Sequence, residues 1–208
     1  MSTLTHRTRT YHHGNLQSSL LRAAGKILEK QGVEGLSLRE AARRAGVSHG
    51  APYRHFPNRE SLLAALAAGG FATLGRALHE AGAAGGLRAR GEAYVHFALQ
   101  HPQRFRLMFG GRLGIARHAV LREAATRVFE GLSGAFTAQI PGQAGRDASI
   151  AAWSLVHGLA LLLLDEKIAN TARVGRETDE FVRSILNSIR FAAGTANQVA
   201  VGPAQPPA

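Results

Sequence analysis

Residues 37–56, SLREAARRAGVSHGAPYRHF, constrain the fold of this chain more than any other segment. Ser37 is a favourable N-cap, and Glu40 three residues later completes a capping-box pattern at the start of a short helix. Gly46 suits the left-handed position that ends a helix and turns the chain sharply. Ser48 can cap a third helix that runs to the end of the segment. Two short helices around a tight turn are the layout of a helix-turn-helix.

Helical spacing of apolar residues continues on both sides of this segment. It predicts a first helix over residues 15–30. Asn58 is a suitable N-cap for a fourth helix, which starts at Arg59 and runs beyond Leu78. The Ala/Gly-rich stretch 80–86 then predicts a joint between two domains.

The rest of the chain is also helical in pattern, and no segment alternates polar and apolar residues as a half-buried strand does. An all-α fold is therefore predicted, with an N-terminal three-helix helix-turn-helix domain at 14–74 and a C-terminal helical domain at 87–193. Residues 1–13 lack periodicity and predict a flexible arm, and the Pro/Ala/Gln-rich tail 194–208 is predicted to be disordered. Five further helices are predicted at 87–100, 102–109, 115–137, 146–168 and 179–193.

Basic residues are concentrated in the first quarter of the chain. The net charge is +11, and residues 1–59 hold ten Lys and Arg against three Glu, a balance of +7. A basic region of this kind favours a polyanionic partner such as nucleic acid, and the alternative is a solvated basic surface. The chain has no cysteine, which excludes a disulfide scaffold, a thiol nucleophile and a Cys-ligated metal site.

No segment predicts a membrane span. The longest apolar run, at 155–164, contains His157 and Gly158 and is shorter than the roughly 20 residues that a span needs. The first 14 residues carry histidines and arginines rather than the apolar core of a secretion signal. We therefore expect a soluble protein of the cytoplasm.

The segment 35–63, GLSLREAARRAGVSHGAPYRHFPNRESLL, is similar to the DNA-binding domain of TetR-family transcriptional regulators. The resemblance extends over residues 14–74 and rests on several elements in the order that the family shows. It implies a helix-turn-helix that binds double-stranded DNA. The matching elements are Ser37, Arg39, Ala41, Ala42, 45–48, 53–56 and 58–62.

The resemblance implies a role for each residue around the turn. His49 and Ala51 are the candidates for contact with base edges, because a His ring can donate to guanine and an Ala methyl can meet the thymine methyl. Gly50 permits close approach of the backbone. Pro52 departs from the family, which often has an aliphatic residue here, and is expected to tighten or tilt the start of the third helix. Contacts to the DNA backbone are expected from Ser37, Arg39, Ser48, Tyr53, Arg54, His55 and Arg59.

A second, shorter resemblance lies in the C-terminal domain. Trp153, His157 and Gly158 match the Trp-x-x-x-His-Gly signature of one C-terminal domain type in the TetR family. It implies a homodimer that is formed by the helices at 146–168 and 179–193, and two half-sites about 34–36 Å apart also require a dimer. The last helix offers one apolar stripe to this interface, consisting of Phe181, Val182, Ile185, Leu186 and Ile189.

Aromatic and soft side chains cluster in the C-terminal domain, where they favour either a pocket for an apolar small molecule or a packed core. The family resemblance favours the pocket without naming its residues. His157 can contact a ligand or be a buried, hydrogen-bonded structural residue. The candidate ligand-binding residues are Phe97, Phe105, Met108, Phe109, Phe129, Trp153 and His157.

No arrangement of residues predicts catalysis, a cofactor or a metal site. His96 and His101 do not share a helix face, and Ser154 with His157 lacks a third catalytic group. We therefore expect a repressor that an apolar effector releases from a palindromic operator, with the fourth helix coupling the two domains. A ligand-independent regulator or activator of the same fold is the first alternative. An enzyme or lipid carrier that uses the aromatic cavity is the second.

Overall fold

The computed structural model describes residues 13–169 and 175–188, with side chains from Leu16 onward. These residues form seven α-helices, two short 3-10 helices and no strand, which confirms the predicted all-α fold. Apart from the backbone of His13, the predicted arm at 1–13 and the tail at 194–208 lie outside the described residues. The helices are α1 (His13–Gln31), α2 (Leu38–Ala45), a 3-10 helix (Ala51–Arg54), α3 (Arg59–Gln100), α4 (Pro102–Phe109), a 3-10 helix (Ile115–Arg117), α5 (Ala119–Thr137), α6 (Gln143–Leu164) and α7 (Thr178–Ser188).

The core of the N-terminal domain lies between α1, α2 and the start of α3. Leu20, Ile27 and Leu28 recur at helical spacing on α1 and are fully buried. Leu36 from the loop before α2 and Leu62 from α3 are buried in the same cluster. This apolar core holds the helix-turn-helix in place, because α2 is too short to be stable alone.

The ends of α2 follow the predicted signals with one difference. The Ser37 hydroxyl accepts a hydrogen bond of 3.1 Å from the Glu40 N–H, as an N-cap does. The Glu40 carboxylate does not return to the cap, because it bonds Arg43 and Arg44 at 2.7–2.8 Å. Gly46 ends the helix in the left-handed conformation, at φ 68° and ψ 33°.

The predicted third α-helix over 48–56 is wrong. The structure has a single 3-10 turn at Ala51–Arg54 instead. The Ser48 carbonyl accepts from the Ala51 N–H at 3.0 Å, because Pro52 has no N–H with which to form the α-helical bond. Pro52 itself is buried, so the segment is fixed against the domain rather than extended as a rod.

The predicted joint at 80–86 takes the form of a break inside α3. Gly85 has φ −145° and ψ 18°, and Gly86 has φ 69° and ψ −152°. The conformation of Gly86 is essentially restricted to glycine. The first part of α3, residues 59–84, therefore starts against the N-terminal core and continues alongside α5, where Gly75 faces Val128, while the second part, 87–100, turns back from it.

Helix boundaries in the C-terminal domain differ from the predicted ones where turns intervene. The predicted helix at 115–137 is divided, because a 3-10 turn at Ile115–Arg117 precedes α5. The predicted helix at 146–168 begins at Gln143 and ends at Leu164, where the chain turns through Glu166 at φ 51°. The predicted helix at 179–193 is described only as far as Ser188.

Two helices are more apolar than the sequence prediction allowed for. By length and composition alone, α3 and α6 are long and apolar enough to cross a membrane. Core helices of soluble proteins meet the same criterion. In α3, 56% of the most apolar stretch is buried inside the protein, whereas in α6 only 28% is buried. Helix α6 thus exposes apolar side chains, including Ile150 and Leu162, that the rest of the described chain does not cover.

The left-handed conformation of Gly46, in the turn after α2, can be tested by substitution. We expect Gly46→Ala to lower the free energy of unfolding by about 1 kcal/mol, because the positive φ of this residue strains any L side chain. No atom lies within 4 Å of the added methyl, so crowding does not contribute. The measurement is urea unfolding followed by circular dichroism.

Gly69 in α3 is the matched control. A methyl group added there also meets nothing within 4 Å, but the backbone is helical. Gly69→Ala should therefore stabilise the protein by up to about 1 kcal/mol. A destabilisation of equal size in both variants would contradict a backbone origin of the Gly46 effect.

Candidate nucleic-acid interface and ligand cavity

Most of the residues predicted to contact DNA are exposed on the helix-turn-helix. His49 and Gly50 occupy the turn, and half of the Tyr53 surface is accessible. Ala51 and His55 are half-buried. The exposed members of the predicted set are Ser37, Arg39, Ser48, His49, Gly50, Tyr53, Arg54 and Arg59.

Arg59 differs from the other predicted phosphate contacts because its guanidinium is already bonded to the protein. Nε donates to the Leu36 carbonyl at 2.7 Å, and Nη2 donates to the Val33 carbonyl. These bonds tie the start of α3 to the loop between α1 and α2. The structure therefore gives Arg59 a role in holding the domain together, which the sequence pattern did not indicate.

His55 is also more enclosed than the sequence prediction assumed. Its Nε2 atom is buried and has no hydrogen-bond partner among the described residues. A bond from Nε2 to a phosphate would require the ring to move. Its phosphate contact stays a prediction.

The charges of α2 are partly neutralised within the helix. The hydrogen bonds from Arg43 and Arg44 lower the pKa of Glu40 to about 2, so this carboxylate stays ionised at any physiological pH. Within 13–169 and 175–188, Arg39 and Arg54 have no ion-pair partner. Arg39 and Arg54 are therefore the arginines of the helix-turn-helix that are free to meet an anion.

A cavity of about 770 Å³ lies between the helices of the C-terminal domain. Its size is typical of a small-molecule site, and its wall is mostly apolar. Three of the predicted ligand-binding residues line it, namely Phe109, Phe129 and Trp153. Other members of the wall were not among the predicted ligand-binding residues, such as Leu74, Leu78, Arg88, Arg90, Tyr94 and Leu186.

The other four predicted ligand-binding residues do not reach the cavity wall. Phe97, Phe105 and Met108 are buried in the core, where ring packing holds Phe105 at 4.8 Å from Phe109 between ring centroids. His157 lies behind the wall and packs at 5.3 Å from Phe105. For these residues the packed-core interpretation fits the structure better than ligand contact.

Tyr94 connects the cavity wall to the residues behind it. Its hydroxyl accepts a hydrogen bond of 3.2 Å from Trp153 Nε1 and lies 2.9 Å from His157 Nδ1. Burial raises the pKa of Tyr94 far above its usual value and lowers the pKa of His157. Tyr94 therefore stays protonated, and its hydroxyl donates a hydrogen bond to Nδ1 of neutral His157. This bond fits the structural alternative for His157.

Two family models match this chain. The model for bacterial regulatory proteins of the tetR family matches residues 20–66. The model for the tetracyclin repressor-like C-terminal domain matches residues 87–189. The chain belongs to the TetR family. The finer resemblance at Trp153, His157 and Gly158 stays a prediction.

Two known proteins are similar to this chain over different lengths. The tetracycline repressor protein class A from transposon 1721 of Escherichia coli is 46% identical over 50 residues, which span 24% of this chain and 23% of that repressor. A protein of unknown function from Rhodococcus sp. RHA1 has 34% identity and a TM-score of 0.72, over 86% of this chain and 96% of its own. TetR-family regulators are DNA-binding transcription factors rather than enzymes, in agreement with the sequence prediction.

More distant structures share the TetR fold. The regulator PfmR from Thermus thermophilus has 20% identity and a TM-score of 0.56, over 81% of this chain and 91% of its own. The multidrug binding protein EbrR, complexed with imidazole, has 22% identity and a TM-score of 0.56, over 83% of this chain and 93% of its own. A second EbrR structure contains proflavin.

The two domains of this TetR-family chain are joined by more than α3. The segment 101–118, which includes α4 and the turn after it, contacts the cavity through Phe109 and Ile115. The same segment reaches the N-terminal domain through four polar pairs, the longest of which is Glu29–His101 at 4.0 Å. The other three are Glu29–Arg104 at 3.6 Å, Glu34–Arg112 at 2.5 Å and Glu60–His118 at 3.0 Å.

The hydroxyl of Tyr94 can be tested by its removal. Tyr94→Phe keeps the ring but leaves Trp153 Nε1 and His157 Nδ1 without their partner. We expect a loss of about 1–3 kcal/mol in the free energy of unfolding, measured by chemical denaturation. Tyr53→Phe is the control, since Tyr53 is half exposed and should change stability by less than about 0.5 kcal/mol. Equal effects of the two substitutions would argue against the buried network.

Proposed function

We propose that this TetR-family regulator is a cytoplasmic, homodimeric repressor, released from a palindromic DNA operator by a small apolar effector. One observation carries the proposal. The segment that contributes Phe109 and Ile115 to the cavity wall is also paired with the helix-turn-helix domain. A molecule that changes the packing of this wall therefore acts on elements that position the DNA-binding surface.

The exposed surface of the helix-turn-helix supports separate roles for affinity and specificity. Arg39, Arg54 and Tyr53 offer exposed donors to phosphates, which give affinity without sequence information. His49 and Gly50 protrude at the turn, where a side chain can reach base edges in the major groove. Because Pro52 limits the following segment to a short 3-10 helix, the turn at His49 and Gly50, rather than a long helix, would enter the groove.

The uncovered face of α6 supports a dimer. Ala151, Ser154 and Leu162 are exposed and follow one face of the helix, and Gly158 on the same face meets no other atom at its Cβ position. Small residues allow two helices to approach closely, and Leu162 would lose its contact with water against a second copy.

The contribution of helix α7 to the proposed dimer interface differs from the one that the sequence predicts. Phe181, Val182 and Leu186 are buried inside the protomer, so this part of the predicted apolar stripe packs on the chain's own core and is not available to a partner. Ile189 lies outside the described residues. The exposed side of α7 carries polar residues such as Arg183 and Asn187. The proposed interface therefore has an apolar part from α6 and a polar part from α7.

Release follows from differential binding. If the effector binds best when the cavity is expanded, it favours the conformation that separates Phe109 and Ile115 from α3 and shifts the paired N-terminal domain. The two reading heads of the dimer then no longer match half-sites about 34–36 Å apart. The fourth predicted helix, the first part of α3, shares this coupling through Leu74 and Leu78.

Selection of bound duplexes from random DNA at near-physiological salt tests the DNA-binding proposal. We expect an enriched palindrome for the wild-type protein. His49→Ala should lose about 1–3 kcal/mol on that operator and relax the preference at one position of each half-site. Arg54→Ala should weaken binding to all sequences and reduce the salt slope of the dimer by about 2, because one phosphate contact is lost from each protomer.

The pair of variants separates the two kinds of contact. Equal losses on the operator and on random DNA for His49→Ala would remove this residue from base recognition. Absence of any enriched palindrome would contradict a repressor whose apo form binds DNA specifically. Release is measured on the enriched operator with a library of metabolites that includes apolar and amphipathic compounds, and no shift with any of them would contradict an effector-released repressor.

Leu162→Glu tests the dimer. It places a charge on the exposed face of α6, and we expect sedimentation equilibrium to show a monomer with unchanged helix content. Val120→Glu on α5 is the matched control, because Val120 and Leu162 have similar exposures of 53% and 47%. A wild-type monomer, or a Leu162→Glu dimer as tight as the wild type, would contradict the proposed interface.

A further inference from the structure

Part of the wall of the apolar cavity is cationic. Arg88 and Arg90 lie on the second part of α3, just after the break at Gly85 and Gly86, and both line the cavity. The wall has no Asp or Glu among the described residues. Thr126 and Gln139 are further polar wall residues that can donate or accept hydrogen bonds.

No Asp or Glu side chain neutralises these two arginines. All 14 Asp and Glu residues lie within 13–169 and 175–188, so every acidic side chain is described. None of them forms an ion pair with Arg88 or Arg90. The nearest acid in sequence, Glu92, lies 3.7 Å from Arg183 instead. The cavity therefore has two guanidinium groups without an Asp or Glu counter-ion.

The position of Arg90 is built into the fold. The break at Gly85 and Gly86 lets the second part of α3 return toward the first, so that the Arg90 guanidinium lies directly on Gly82. A Cβ atom at residue 82 would overlap Nε, Cζ and Nη2 of Arg90. Arg90 is half-buried and also lines a neighbouring cavity of about 400 Å³. This packing holds the guanidinium at the wall rather than out in solvent.

We infer that the effector is an amphipathic anion, with an apolar body and one carboxylate-like group held by Arg90 with support from Arg88. The inference rests on the proposed effector function of the cavity. A half-buried guanidinium has lost part of its hydration, and a ligand carboxylate restores its bonds through charge-assisted, bidentate contacts. The apolar body fills the space beside Phe109, Phe129 and Trp153.

The charge of the ligand is tested with three probes that share one tail: decanoate, decanol and decyltrimethylammonium. Trp153 is the only tryptophan of the chain and lines the cavity, so its fluorescence reports binding without DNA. We expect decanoate to bind at least about tenfold more tightly than decanol, which is the lower range for a hydrogen bond to a charged group. Decyltrimethylammonium should bind more weakly than decanol, because the two arginines repel it.

Arg90→Gln should lower the affinity for decanoate about tenfold and leave the affinity for decanol unchanged, so that the preference for decanoate is lost. Arg146→Gln is the matched control, since Arg146 is exposed on α6 and lies outside the cavity wall. It should keep the preference of the wild type. Circular dichroism and thermal unfolding of both variants establish that they are folded.

The outcomes separate this inference from the proposed function. Equal binding of decanoate and decanol, no Trp153 response to decanoate, or a preference that survives in Arg90→Gln would each overturn the anionic effector. Release of the operator by decanol as well as by decanoate would overturn it too, while supporting a released repressor. Arg90-dependent binding of decanoate that leaves the operator bound would support the anion site and contradict release.

Discussion

The backbone of Gly86, at φ 69° and ψ −152°, is the constraint on which the arrangement of this chain depends. A continuous helix of 42 residues would be about 60 Å long and would carry its second part away from the first. Because α3 breaks at Gly85 and Gly86, Arg90 returns to Gly82, and Tyr94 reaches Trp153 and His157 of α6. The cavity exists because the two parts of one helix wall it together.

The connection between the domains depends on packing more than on its ion pairs. Exposed pairs such as Glu34–Arg112 contribute only about 0–1 kcal/mol each. In contrast, Leu20 of the N-terminal domain and Phe105 of the C-terminal domain belong to one continuous buried cluster. A close-packed core transmits a shift of the cavity wall, because it has few voids that could absorb the shift.

Sequence reasoning succeeded where the cause of the structure is local. Ser37, Gly46 and Asn58 end or begin helices through bonds within a few residues, and the structure contains all three as predicted. The error at residues 48–56 arose because the helix-turn-helix pattern was given more weight than Pro52. The missing N–H of this proline, which prevents an α-helical bond, was visible in the sequence. The cavity wall could not be derived in this way. Phe105 and Phe109 are one turn apart on α4, yet only Phe109 lines the cavity, because the wall depends on how distant helices are placed.

Arginine has two environments in this protein, and they suit two kinds of anion. Arg39 and Arg54 are exposed, so their attraction for phosphates is strongly screened by salt. Arg90 is half-buried beside apolar rings, where screening is weaker and a hydrated phosphate backbone does not fit. An anion with an apolar body gains both the charge contact and the transfer of its tail out of water. The proposed functions thus assign exposed arginines to an extended polyanion and a half-buried arginine to a small amphipathic anion, and burial distinguishes the two assignments.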